Sequence, residues 1–173
     1  FTVITVANLF PKKNIEFVLK IAQELKECRF VVVGEGTHRE VLENIIQENK
    51  ITNVELVGFK TPEQVREYYQ KSDCYLLTSF AEGTPTSALE AMACGLPLVI
   101  TRTSQISYYY NSGSFLMMEP TENEIRKTIL EMLENKSNWN EMSKSSIKNV
   151  EDFFNWDNVV KMMTKEYERI LND

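Results

Sequence analysis

Ser79-Phe80-Ala81-Glu82-Gly83-Thr84-Pro85-Thr86-Ser87-Ala88-Leu89-Glu90-Ala91-Met92-Ala93-Cys94-Gly95-Leu96-Pro97 is the stretch from which the rest of the chain is best read. It packs a turn, a helix start, a helix and two carboxylates between two strand-sized apolar runs, Cys74-Tyr75-Leu76-Leu77-Thr78 and Leu96-Pro97-Leu98-Val99-Ile100. Strand, helix and strand in that order form the crossover of a parallel pair. In such units ligands gather at the carboxyl ends of the strands, where the loop before this helix falls.

Thr84 followed by Pro85 reads as an N-cap with proline at the first helical position, so the helix is expected to start there. The amides of Thr86, Ser87 and Ala88 would then face outward with the helix dipole behind them, a site suited to a diphosphate. An ordinary capped helix without a ligand has the same residues. Glu82 lies before the helix and Glu90 two turns into it, about 10 Å apart at a rise of roughly 1.5 Å per residue. That span matches a nucleotide sugar, and a carboxylate accepts two hydroxyl hydrogen bonds at once, as a sugar diol requires. Two solvated carboxylates are the plain alternative.

Working outward, the same alternation recurs. Phe1-Thr2-Val3-Ile4-Thr5-Val6 is a strand, followed by a loop with Asn8, Pro11, Lys12 and Lys13, then a helix with Ile15, Val18, Leu19, Ala22 and Leu25 on one face. Arg29-Phe30-Val31-Val32-Val33 is a continuous apolar run of the kind buried on both faces. Gly34-Glu35-Gly36-Thr37 turns it into a helix capped by Thr37 and carrying Val41, Leu42, Ile45 and Ile46. Val54-Glu55-Leu56-Val57 and the loop Gly58-Phe59-Lys60 lead to a helix with Thr61 as N-cap and Pro62 first. Beyond Thr101 comes a polar and aromatic loop, Thr103–Gly113, then a short strand, Phe115-Leu116-Met117-Met118. Thr121 and Glu124 form a capping box for a helix whose core face is Ile125, Ile129, Met132 and Leu133. Two further helices, 137–152 and 155–172, offer Trp139, Phe153, Phe154, Trp156, Val159, Met163 and Tyr167 to pack back on the sheet. The expected fold is α/β, a Rossmann-like, mostly parallel sheet with helices on both faces and extra C-terminal helices, in one domain over 1–173.

The 173 residues carry a formal net charge of −6, which argues against a general nucleic-acid footprint or a polybasic membrane patch. Cys28, Cys74 and Cys94 form no C-x-x-C pair and His38 is the single histidine, so no metal site is expected and a reducing cytoplasm fits. His38 reads as an exposed helix-start residue and Cys94 as a small packing residue. The apolar runs are too short to cross a membrane as helices. The chain opens in a strand without an initiator methionine, which leads to the expectation of a segment cut from a longer polypeptide.

Lys12 and Lys13 share the sheet edge with the opening stretch, where either can reach a phosphate. Gly34-Glu35-Gly36 matches the start of a dinucleotide fingerprint, with Arg39 where the third glycine would stand; a tight strand-to-helix turn explains it equally well.

The run Glu82-Gly83-Thr84-Pro85 through Leu89-Glu90-Ala91-Met92-Ala93-Cys94-Gly95-Leu96-Pro97 closely resembles the donor-binding C-terminal domain of retaining group 1 glycosyltransferases, which have the GT-B fold. The likeness extends to Val31-Val32-Val33-Gly34-Glu35-Gly36, to Val54-Glu55-Leu56-Val57-Gly58-Phe59, to Ser72-Asp73 with the strand up to Ser79, and to Phe154-Asn155-Trp156. It implies one half of a two-domain enzyme. The other, N-terminal domain would hold a carbohydrate or lipid-linked acceptor and could bring the intact protein to the inner face of the membrane. It further implies a nucleotide-sugar donor, a UDP-sugar ahead of a GDP-sugar, with no metal or other cofactor. Glu82 would act at the donor sugar and Glu90 on the ribose. Lys13 and the amides near Thr86 and Ser87 would serve the phosphates, Phe59 and Lys60 the base, and Asn8, Thr84, Gly34 and Gly36 would also be donor-binding. Asn8 stands where the family has an arginine, and the family's G-G-x-x-E segment is not recognisable in Thr103–Ser107. The alternatives are a sugar-nucleotide 2-epimerase of the same fold, a non-catalytic nucleotide-binding module and, more distantly, a nicotinamide dehydrogenase.

Overall fold

The computed structural model describes residues 1–101, 115–118, 121–134 and 138–172. Its strands are β1 (Thr2–Val6), β2 (Arg29–Val33), β3 (Val54–Gly58), β4 (Cys74–Leu77), β5 (Leu98–Thr101) and β6 (Phe115–Met118). Its helices are α1 (Ile15–Glu24), α2 (Arg39–Glu48), α3 (Pro62–Gln70), α4 (Thr86–Ala93), α5 (Glu122–Glu134), α6 (Trp139–Phe153) and α7 (Trp156–Asn172). The expected loop Thr103–Gly113 lies outside the described residues.

The sheet runs β3-β2-β1-β4-β5-β6 with every neighbouring pair parallel. The strand order reverses between β1 and β4, and the crevice at their carboxyl ends is where ligands bind in open α/β sheets. Side chains alternate across the sheet as the pleat demands. Val3, Phe30, Val32, Cys74, Leu76 and Val99 join a core with α1, α2 and α5. Ile4, Val31, Val33, Tyr75, Leu77, Leu98 and Ile100 join a second core with α3 and α4. The Rossmann-like expectation, with helices on both faces, holds.

The α3 start is as expected: Thr61 caps it, Pro62 follows, and Gln64 completes a reciprocal capping box. The Thr121 hydroxyl accepts from the Glu124 amide at 3.4 Å, one half of the box expected at α5. Other helix starts differ. α2 begins at Arg39 and is not capped by Thr37, because the His38 amide bonds to the Leu9 carbonyl and the Arg39 amide to the Gly36 carbonyl, which continues the turn. Val41 is exposed and Leu42 alone is fully buried on α2. His38 is largely covered, its ring bonded to the Glu16 carboxylate so that it ties α2 to α1.

The C-terminal helices divide. α6 packs on α4: the Ser146 hydroxyl donates to the Leu96 carbonyl at 3.1 Å, and Gly95, at φ +78°, lets the Ser143 side chain approach. Trp139 meets Phe1 with ring centroids 5.1 Å apart. α7 does not return to the sheet; Trp156 is 78% exposed, Met163 and Tyr167 are also exposed, and none of its residues is buried. A helical apolar spacing says that a face seeks cover, not which surface provides it. No helix among the described residues is long and apolar enough to cross a membrane.

Gly34 and Gly36 have a structural reason to be glycine. A Cβ on Gly34, at φ +141°, would stand 1.9 Å from the Ala7 carbonyl oxygen, and one on Gly36 would stand 2.3 Å from that of Leu9. Gly83 has nothing within 4 Å of the same position. Gly34→Ala should therefore cost about 3 kcal/mol or more, lowering the melting temperature by about 6–12 °C. Gly83→Ala should change stability by less than about 0.5 kcal/mol. Thermal melts followed by circular dichroism of the two variants check the contrast.

Candidate functional site

The site is built where three loops leave the sheet. Past the strand ends, the Ala7 amide bonds to the Val33 carbonyl, the Leu9 amide to Glu35 and the Gly34 amide to Gly58, at 2.9–3.0 Å. These bonds hold the loops after β1, β2 and β3 side by side. A short 3-10 turn, Pro11–Lys13, follows β1 and is clamped to the end of β4. The Thr78 hydroxyl lies 3.0 Å from the Asn14 carbonyl and 3.2 Å from that of Lys13, the Asn14 amide group donates to the Thr78 carbonyl, and the Phe80 amide donates to the Lys12 carbonyl. Asn14 takes the left-handed conformation at φ 52°, which asparagine tolerates better than most residues.

That clamp sets Lys13 against Glu82. Their side chains form an ion pair in which both are largely shielded, 16% and 12% exposed. The cation and carboxylate that the sequence assigns to different parts of one ligand thus meet each other here.

α4 starts one residue beyond Pro85, later than Thr84 as a cap would place it. Pro85 is extended, at φ −71° and ψ 108°, and itself occupies the cap position without a side-chain bond. The Ala88 amide is engaged by the Pro85 carbonyl at 3.1 Å, which removes it from the expected set of free donors. The Thr86 and Ser87 amides, at the first two helical positions, have no helical acceptor.

In front of them lies a cavity of about 260 Å³ that brings together Asn8, Lys13, Gly34, Lys60, Thr86, Ser87 and Glu90. A neighbouring cavity of about 480 Å³ shares Lys60 and Glu90 and continues between α3 and α4, with Phe59, Val65, Arg66, Tyr69 and Cys94 on its walls. Its surface is mainly apolar, and Phe59 stands at it 73% exposed. The Lys60 ammonium donates to the Val57 carbonyl at 2.5 Å and so is held at the end of β3, between the two cavities. Glu82 meets the smaller cavity through Lys13. Gly36 and Thr84 line neither cavity; Gly36 is pressed against the Leu9 backbone and Thr84 is exposed.

Residues not picked out from the sequence complete the site from below. The Tyr69 hydroxyl lies 3.0 Å from the Ser87 carbonyl and 3.3 Å from the Glu90 carboxylate, while the Tyr75 hydroxyl pairs with that of Ser87 at 2.7 Å. The two rings are 6.2 Å apart and both residues are buried. A signal existed: a tyrosine inside the aliphatic run of β4 needs a partner for its hydroxyl. Arg66 carried no such signal.

Among known proteins, the family model described as glycosyl transferases group 1 matches residues 1–152. The chain belongs to this family. The amylovoran biosynthesis glycosyltransferase AmsK of Erwinia amylovora is 28% identical over 149 residues, 79% of this chain and 37% of that protein. The chain spans less than two fifths of the length of the curated relatives that head the comparison. Sucrose-phosphate synthase from Thermosynechococcus elongatus superposes with a TM-score of 0.88 at 22% identity, covering 99% of this chain and 45% of the other. HepE of Anabaena, solved in complex with UDP and glucose, superposes with 0.82 at 16% identity, covering 98% and 48%. At these identities the likeness is one of fold, and it matches the GT-B half expected of the family.

Buried hydroxyls beneath the site and a buried thiol at the start of β4 set a pH limit. Burial pushes the Tyr69 and Tyr75 hydroxyls and the Cys74 thiol well above their ordinary values of 10.0 and 9.0. Below about pH 8 these groups are protonated in both folded and unfolded chains, and their contribution to stability is constant. Above it the unfolded chain loses protons that the folded one retains, so stability should fall from about pH 8 upward, and more steeply once the tyrosines titrate. Urea melts at pH 7.5, 9 and 10.5 check the trend, and Tyr75→Phe should make it shallower.

Proposed function

We propose that this chain is the donor half of a retaining glycosyltransferase and holds a nucleoside diphosphate sugar, a UDP-sugar first and a GDP-sugar second. The observation that carries the reading is the cavity in which Lys13, Lys60, Glu90 and the start of α4 converge at the strand reversal. In this reading the diphosphate lies against the Thr86 and Ser87 amides, where the helix dipole favours an anion. Lys13 neutralises it, Asn8 and Gly34 border it, and Glu90 accepts the ribose hydroxyls. The apolar cavity beside Phe59 and Lys60 takes the base, stacked on an aromatic ring and apolar walls.

Glu82 acts at the sugar. As the glycosidic bond breaks, negative charge grows on the leaving diphosphate, and the lysine and helix amides are already aimed at it. Retention follows from attack on the face that the diphosphate leaves. The acceptor, a carbohydrate in the manner of the polysaccharide suggested by the name of AmsK, or a lipid-linked one, would be presented by a second, N-terminal domain across a cleft. UDP in the HepE structure supports uridine as the base. A cytoplasmic enzyme, reaching the membrane through the rest of its protein, fits this chemistry.

Calorimetric titration of the folded chain with UDP and GDP tests the reading. At least weak binding of one is expected, and Glu90→Ala should weaken it by about tenfold or more, the effect of losing hydrogen bonds to a charged group. Binding of neither would overturn the assignment. Glu82→Gln should tighten UDP about two- to fivefold, because Lys13 no longer has to leave a carboxylate to meet the diphosphate. Weaker binding would mean that the Glu82 carboxylate holds Lys13 in place for the diphosphate.

A further inference from the structure

The Tyr69 hydroxyl lies within hydrogen-bonding distance of two acceptors, the Ser87 carbonyl and one Glu90 carboxylate oxygen. The carbonyl alone would satisfy a buried hydroxyl. The second acceptor needs another account, because Glu90 sits on an exposed position of α4, where a carboxylate ordinarily extends into water. Here it turns toward the cavity rim and touches a residue that is 1% exposed. Ser87 and Glu90 stand one turn apart on α4, so a single hydroxyl from α3 reaches both. Tyr75 grips the same turn from β4 through the Ser87 hydroxyl. Burial keeps the Tyr69 phenol protonated throughout the working pH range, so it remains a donor.

We propose that Tyr69 is a positioning residue for Glu90, holding one carboxylate oxygen so that the group is already oriented for the vicinal hydroxyls of a bound ribose. This rests on the donor-site reading above. A glutamate side chain free to rotate must be ordered when ligand binds, and a buried hydroxyl on a rigid helix removes that cost in advance. The same contact links the wall of the base cavity, which includes Tyr69, to the ribose-binding carboxylate, so α3 and α4 meet a nucleoside as one surface.

The test compares UDP, or GDP if that binds tighter, with its dideoxy counterpart lacking both ribose hydroxyls, on the native chain, Tyr69→Phe, Glu90→Ala and the double variant. The native chain should lose about tenfold in affinity with the dideoxy ligand. In Tyr69→Phe that loss should shrink to about threefold or less, and in Glu90→Ala Tyr69→Phe should have no further effect on the nucleotide. The ratio of two ligands within one variant is independent of how much of that variant is folded. An unchanged ratio in Tyr69→Phe, equal weakening of both ligands, or full additivity with Glu90→Ala overturns the inference while leaving the donor site intact. Binding of neither nucleotide by the native chain overturns both.

Discussion

Beyond the last residues of β1 and β2, backbone hydrogen bonding does not stop. The Ala7 amide reaches Val33, Leu9 reaches Glu35, and Gly34 reaches Gly58, so the three departing loops extend the sheet's ladder for a few residues. Such approach leaves no room for a Cβ at Gly34 or Gly36. Because of it, Asn8, Lys13, Gly34 and Lys60 arrive at one rim, although about fifty residues of chain separate the first from the last. The strand reversal between β1 and β4 then places the start of α4 against that rim. Parallel strands send all their carboxyl ends the same way, and a reversal of order opens a crevice between the loops. The site follows from that geometry.

Within the crevice, electrostatics and burial divide the work. Lys13 and Glu82 face each other at low exposure, so each satisfies the other where an unpaired charge would be costly. In the proposed donor-site reading, an arriving diphosphate would offer the ammonium a stronger partner and free the carboxylate where a sugar would lie. Beneath, Tyr69 and Tyr75 hold the first turn of α4 through neutral hydroxyls, which do not compete with an anion at the helix start.

Much of this was legible in the residues alone. Alternating apolar runs and turn signals located the strands, and their continuous hydrophobicity indicated burial on both faces, because a parallel sheet needs cover on each. The run from Glu82 to Pro97 marked the crossover helix and its two carboxylates. Helix starts were less legible. Thr84 and Thr37 are both good caps, but a cap forms only if the backbone has the right conformation, and that depended on Pro85 and on a carbonyl from Leu9 far away in sequence. His38 became half of a pair for the same kind of reason, its partner lying on another helix.

The sequence by itself determined the periodicity of every strand and most helix faces, and through its motif the family, because these are local or linear properties. Tertiary structure alone decided which charges meet, which hydroxyls lie under the glutamate and which apolar helix face is left without cover. Lys13 and Glu82 are 69 residues apart and Tyr69 and Glu90 are 21 apart, and contacts at such separations depend on how the crossovers stack on the sheet. Spacing along one element cannot encode them. The stretch from Ser79 to Pro97 supplied the helix and its carboxylates, and the packing of α3 beneath it decided what holds Glu90.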